Sequence, residues 1–464
     1  MHLDDKQLNG VVFSDRTHKC FRRRTIPVTA LGAILLAGCG SNYRPVVSSI
    51  NPVGPASQPT KYAVAISSNG ANSPGLVSLI DFAGDTILDT TAIGVNPQYL
   101  ALDPTGSTGY TLNGDGTLNS FSVSASLRAS DVLQSTLLPG SNPISIYVQG
   151  TNLYIAQPGR NSVAQLRGTP PAIRQELPTG PGVVYTVGSN NAPRAYALVR
   201  GAAGVLGNVV PIETTSNTTD TPIPVGMNPV YGVMTADARR AFILNKDSGT
   251  VSVINAQTNA LDTFTDSTTG AKSGTVQVGT APVWADFAPT LSEVVVANAG
   301  DGLSPGSLTV INIPLCSSTT VVTNPNCDPN NPVDAIGFGR VLANIPVGIN
   351  PVMVAVLQLQ DGIRAYVANA GNATLGIAGS ISVVNLTTNT VTATIPAAVS
   401  TDPRDYLVHG HPAFIAATTG TPTGKVYVTA FDSNDLTVIR TDTDTVQTHL
   451  PLQGTGIQVR ITAP

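Results

Sequence analysis

The residues best suited to chemistry gather near the C-terminus, where His409, His411 and His449 are three of the chain's five histidines. His409-Gly410-His411-Pro412, preceded by Asp402 and Asp405, sets imidazoles beside carboxylates. Such a set would hold a transition-metal ion or act as an acid/base pair, because imidazole titrates near neutrality and shares divalent metals with carboxylates. A His-x-His pair with acids nearby does not by itself define a metal site. Asp115, and Asp432 with Asn434 and Asp435, hint at calcium loops but lack the spaced run of oxygen donors and the closing Glu. They read instead as turn residues that tolerate left-handed geometry. No Gly-x-Ser-x-Gly elbow, Walker sequence or dinucleotide fingerprint is present. These patterns assign no catalytic residue, cofactor or metal.

The elements that would position these residues repeat. Eight units centre on Tyr62-Ala63-Val64, Tyr110-Thr111-Leu112-Asn113, Leu153-Tyr154-Ile155, Ala195-Tyr196-Ala197-Leu198, Phe242-Ile243-Leu244-Asn245, Val294-Val295-Val296-Ala297-Asn298, Tyr366-Val367-Ala368-Asn369 and Tyr427-Val428-Thr429. Successive centres lie roughly 43 to 71 residues apart, a spacing that suits four-stranded blades better than helical or leucine-rich solenoids. Each centre is followed by an alternating strand such as Thr250-Val251-Ser252-Val253-Ile254-Asn255. Most are preceded by an Asn-Pro or Ala-Pro element, as in Val225-Gly226-Met227-Asn228-Pro229-Val230 and Val347-Gly348-Ile349-Asn350-Pro351-Val352. Proline lacks a ladder donor and belongs where a strand begins, at the passage from one blade to the next.

Tyr366-Val367-Ala368-Asn369 and Tyr427-Val428-Thr429-Ala430, each with a Ser/Thr-Val-apolar strand after the turn, resemble the YVTN-type β-propeller repeat of bacterial and archaeal surface proteins. The resemblance covers about residues 61–464, with units three and four departing most. It implies an all-β propeller of four-stranded antiparallel blades, eight by the count of centres and seven if one weak unit is an embellishment. Gln458-Val459-Arg460-Ile461-Thr462 has strand character with no repeat behind it, and the first unit lacks an inner strand. Residues 457–462 are therefore expected to complete the first blade and close the ring. Inner strands would bring Tyr99 and Trp284 to the axis, Trp284 either as a ligand platform or as filling for a narrowing channel. In the same alignment His411-Pro412 falls where Asn350-Pro351 and Asn228-Pro229 sit, which favours a hydrogen-bonding turn residue.

Composition agrees with short strands and tight turns: 11% charged residues, 44 glycines and 35 prolines, against about 25% charged in an average protein. A net charge of -4 offers no basic field, so nucleic acid is not an expected partner. Arg22-Arg23-Arg24 followed by the apolar run Ile26 to Gly38 reads as a signal sequence too short to span a bilayer. Its end, Leu36-Ala37-Gly38-Cys39, resembles a bacterial lipobox. That implies a leader over 1–38, a lipidated Cys39, a Pro/Ser-rich tether over 39–60 and a propeller over 61–464. Cys316 and Cys327 lie eleven positions apart in one insertion and would form a disulfide in an oxidising compartment.

The expected function is that of a lipid-anchored cell-envelope propeller, a monomer held at the membrane by its anchor and binding an envelope protein, peptide or glycan. The alternative is an enzyme with a small-molecule site at the channel mouth, like the lactonase-like hydrolases or propellers of quinone-linked dehydrogenases.

Overall fold

The computed structural model describes residues 61–190, 192–265, 270–314, 337–421 and 423–462; Cys39, Cys316 and Cys327 lie outside them. The apolar runs form the second strand of each blade, and most are buried along their length, as in Arg240–Asn245 and Lys425–Ala430. Flanking blades cover both faces of such a strand, so its sequence reads as nearly continuous valine, isoleucine and alanine. Outer strands such as Thr390–Ala398 have a partly wetted face and alternate.

Eight antiparallel blades result. Blade 7 runs outward as Pro351–Leu359, Gly362–Asn369, Ser380–Asn385 and Thr390–Ala398, and blade 8 as Pro412–Thr418, Lys425–Ala430, Asp435–Arg440 and Thr445–Pro451. The inner strands of successive blades touch in an unbroken circle. The circle closes as the spare C-terminal segment foretells: Thr455–Ile461 pairs antiparallel with Tyr62–Ser68 and becomes the inner strand of blade 1. Seven blades are thereby excluded. Irregularity falls in blade 4, whose outer strand divides into Thr218–Thr219 and Ile223–Met227, and in blade 5, where a small hairpin, Phe264–Thr265 with Lys272–Ser273, interrupts the outer edge.

The asparagine that ends the repeat signature has a defined duty. Asn369 Nδ2 donates to Ser380 Oγ at 3.1 Å and Ser382 Oγ at 2.9 Å, and Asn245 reaches Thr250 and Ser252 in the same way. This ties the second strand to the third by buried bonds worth about 1 kcal/mol each. Over that asparagine passes the outer strand of the preceding blade, at a glycine. A Cβ on Gly348 would lie 2.7 Å from Asn369 Nδ2 and 2.6 Å from Ser380 Oγ; Gly226 meets Asn245 similarly. The chain then turns into the next blade through a left-handed residue before proline: Asn96, Asn228, Ala281 and Asn350 all have φ between 53° and 55°. Asparagine tolerates this conformation better than most residues.

Gly348→Ala should therefore lower stability by about 1–3 kcal/mol through overpacking at the junction of blades 6 and 7. Guanidinium denaturation checks this; an unchanged midpoint would show that the asparagine contact yields freely.

Candidate functional site

The loop between blades 7 and 8 brings Asp405 and His409 to a titratable cluster that blade 8 completes with Asp435 and His449. Val408–His409 pairs in parallel with Ala397–Ala398 of blade 7. The His409 N–H meanwhile donates to Thr437 Oγ1 of blade 8 at 3.3 Å. His449, on the outer strand of blade 8, stands opposite Thr437 in the ladder. Two strands distant in sequence thus bring the imidazoles of His409 and His449 face to face, with centroids 3.6 Å apart and planes within 8°. Both rings are buried, with side-chain exposures of 0% and 1%.

Both nitrogens of His409 face carboxylates: Nδ1 donates to Asp435 Oδ2 at 2.7 Å, and Nε2 lies 3.2 Å from Asp405 Oδ1. His449 Nε2 lies 2.9 Å from the carbonyl of Leu407. A carbonyl only accepts, so this nitrogen carries a proton. His449 Nδ1 is buried without a hydrogen-bond partner. Asp405 is itself held by the Ser400 hydroxyl and the Leu407 N–H. Burial raises its pKa, but these bonds and the His409 ring outweigh burial and hold the carboxyl below its usual range. One ligand atom from each of Asp405, His409 and His449 lies within 4.8 Å of the others, a spacing at which they could hold a metal ion.

Of the residues singled out in the sequence, His409 and Asp405 belong to this cluster, whereas His411, Asp402 and Trp284 do not. The cluster sits between the outer strands of blades 7 and 8 rather than at the mouth of the axial channel, because the loop docks on the outer edge of the sheet. His411 Nδ1 is 2.6 Å from Asp432 Oδ2, and its carbonyl accepts from the N–H of Phe431. Asn228 makes the matching contacts in blade 5, to Asp247 through its side chain and to Lys246 through its carbonyl. His411 thus fills an asparagine's turn position, although here Gly410 adopts the positive φ. Asp402 pairs with Arg404 at the surface. Sequence reading missed the partnership of His449 and Asp435 with His409. The available signal was the ladder position of His449, where Thr394 stands in blade 7.

The inner strands build a second feature on the axis. Tyr231 stacks on Trp284 with centroids 3.9 Å apart, Tyr185 approaches Tyr231 at 4.9 Å, and Phe414 meets Trp284 edge-on at 5.7 Å. Trp284 thus packs among the aromatic rings of the inner strands. Beside this packing lies a cavity of about 420 Å³ lined by Tyr99, Tyr147, Tyr185, Tyr231, Arg460, Thr186, Phe287 and mainly aliphatic residues. Desolvation raises the pKa of Tyr147, Tyr185 and Tyr231, so these phenols stay protonated. Arg460 lies 4.6 Å over the Phe414 ring and donates to the Leu100 carbonyl; among the described residues no carboxylate pairs with it. Asp286, also on an inner strand, accepts from the N–H groups of Phe287 and Val356, each at 2.8 Å.

The fold and its two sites define an eight-bladed β-propeller with a buried imidazole pair at its edge and an aromatic cavity on its axis. No protein-family model and no curated protein sequence matches the chain. Among solved structures it resembles apo AztD from Citrobacter koseri, with a TM-score of 0.55 and 13% identity over 86% of this chain and 97% of that one. It also resembles the dihydro-heme d1 dehydrogenase NirN in complex with DHE, with a TM-score of 0.56 and 12% identity over 86% of this chain and 74% of that one. Similarity at these identities shows the fold alone, and one fold serves unrelated functions.

Burial pushes the Asp286 carboxyl up to about 6, against the two backbone hydrogen bonds. The folded state therefore binds an extra proton between the ordinary carboxyl range, about 4, and about 6. Its stabilising contribution is fully present below that window and lost as pH rises through it. Asp286→Asn should remove this decline and gain stability relative to wild type between pH 4 and 7. Parallel denaturation curves at the two pH values would contradict the assignment.

Proposed function

We propose that the protein is a non-catalytic binding propeller of the cell envelope, carried on a lipid at Cys39, that takes an anionic group of an envelope peptide or glycan into its axial cavity. The observation that supports this reading best is the lining of the cavity: four tyrosines, Phe287, Arg460 and the lone hydroxyl of Thr186, with no His, Cys, Ser, Lys, Asp or Glu among the described residues to act as its base or as a cofactor ligand. Aromatic walls and tyrosine hydroxyls suit sugar rings and peptide side chains, and one unpaired guanidinium suits a carboxylate. A hydrolase or dehydrogenase at the same place would need a nucleophile, a general base or a cofactor ligand. The protonated tyrosines do not supply a base.

The cavity volume of about 420 Å³ suits one sugar unit or side chain rather than a folded partner, in line with the 300 Å³ or more typical of small-ligand sites. Uronic-acid oligosaccharides and glutamate-rich peptides titrated calorimetrically into the full-length protein test the reading. At least one class should bind, and Arg460→Gln should weaken it more than about tenfold. Failure of both classes to bind, or equal binding by the variant, would overturn it. For the anchor, Cys39→Ser should move the protein out of the membrane fraction; an unchanged distribution would refute lipidation.

A further inference from the structure

We infer that the stacked histidine pair between blades 7 and 8 is a binding site for a divalent transition metal of the zinc class, with His409 Nε2, His449 Nε2 and Asp405 Oδ1 as ligands. This is independent of the axial cavity, which shares none of these residues. Three observations converge on it. The three donors are mutually within 4.8 Å, and the mixed imidazole and carboxylate set matches zinc and its neighbours rather than calcium or magnesium. Asp435 Oδ2 takes the Nδ1 proton of His409 at 2.7 Å. That is an outer carboxylate of the kind that orients a ligating imidazole, while Nε2, 3.2 Å from Asp405 Oδ1, faces the proposed ligand set. His449 Nδ1 lies buried without a hydrogen-bond partner, so this ring is not held fully satisfied by hydrogen bonds within the fold.

His409 and His449 lie parallel, with ring centroids 3.6 Å apart. Binding requires the rings to rotate apart until both Nε2 atoms point to one centre about 2.0–2.1 Å away. The protons on His449 Nε2 and on His409 Nε2, which face the Leu407 carbonyl and the Asp405 carboxylate, leave to solvent as the metal enters. The carbonyl of Leu407, 2.9 Å from His449 Nε2 in the stacked arrangement, then loses its donor and is a neutral oxygen near the site. Access is from the side of the carboxylates, since Asp405 and Asp435 keep 22% of their side-chain surface exposed while both imidazoles are covered. Bound there, a metal would pin the loop from Ser400 to His409 to the outer strand of blade 8. Tyr406 and Val399, 77% and 72% exposed on the same loop and its approach, would be held in one arrangement.

The test is calorimetric titration of Zn²⁺ alone into the full-length protein stripped of metal, with thermal unfolding measured in parallel. Wild type should bind one more equivalent than Asp405→Asn or His449→Gln and should melt higher with Zn²⁺, while either variant loses both effects. Asp405 lies on the loop and keeps 22% of its side-chain surface exposed, and the amide is isosteric with the carboxyl, so Asp405→Asn keeps the test decisive if the buried histidine variant folds poorly. Asp435→Asn should retain the equivalent but bind it about 10- to 100-fold more weakly, and His411→Gln should bind as wild type. Equal Zn²⁺ uptake by wild type and Asp405→Asn, or loss of the equivalent in His411→Gln alone, would overturn the site.

Discussion

Closure of the ring is the constraint on which the rest depends. A blade on its own exposes both faces of strands such as Phe242-Ile243-Leu244, and only neighbours on either side cover them. Ring closure therefore has to be fastened as firmly as any internal junction. Thr455–Ile461 fastens it by main-chain pairing with Tyr62–Ser68. Lys425 of blade 8 adds a buried bond to Asp85 of blade 1 at 2.7 Å and a second to the Phe82 carbonyl, with its ammonium 4.9 Å from the Phe82 ring. The same device recurs at the junction of blades 7 and 8, where Arg364 reaches Asp444 and the Thr441 carbonyl and Tyr366 donates to Asp444 at 2.8 Å. The tyrosine of the repeat signature thus reads the left-handed turn residue of the next blade: Tyr154 reads Asn217, Tyr196 reads Asn259 and Tyr366 reads Asp444.

This explains why the architecture was legible from residue patterns. Tyrosine, terminal asparagine, glycine and Asn-Pro each answer to a local geometric demand, and each recurs at a fixed place, so their spacing alone gives blade number and closure. Units three and four depart in sequence where Gln165-Leu166 and Val209-Val210-Pro211 keep the apolar pattern but lose the terminal Asn/Asp, and their second strands end in Gln157 and Val199. The strands survive since flanking blades still bury them. What sequence could not supply was the pairing of His409 with His449. Forty positions separate them, and they meet only because a loop outside the repeat lies down on an outer strand. Asp435, placed like a turn residue, gave no sign that it faces an imidazole.

Regular blades supply a rigid ring, and departures from the repeat supply what is particular to this protein. His411 illustrates the first half: it does an asparagine's work at a junction that every blade needs. His409 and His449 illustrate the second, having no counterpart in the other blades. The axial cavity belongs between the two. Its tyrosines follow the repeat's inner-strand positions, but Arg460, the one cation among the described residues that line it, comes from the closing strand and so arrives with the segment that seals the ring. Binding chemistry and structural integrity are linked at that strand.

The most direct measurement of this account is a crystal structure of the full-length protein grown with Zn²⁺, with diffraction recorded at the zinc absorption edge. The account predicts an anomalous peak bounded by His409 Nε2, His449 Nε2 and Asp405, with the two rings splayed from their parallel stack, and no peak in the axial cavity. A peak on the axis or between His411 and Asp432, with the histidine pair still stacked and metal-free, would contradict it.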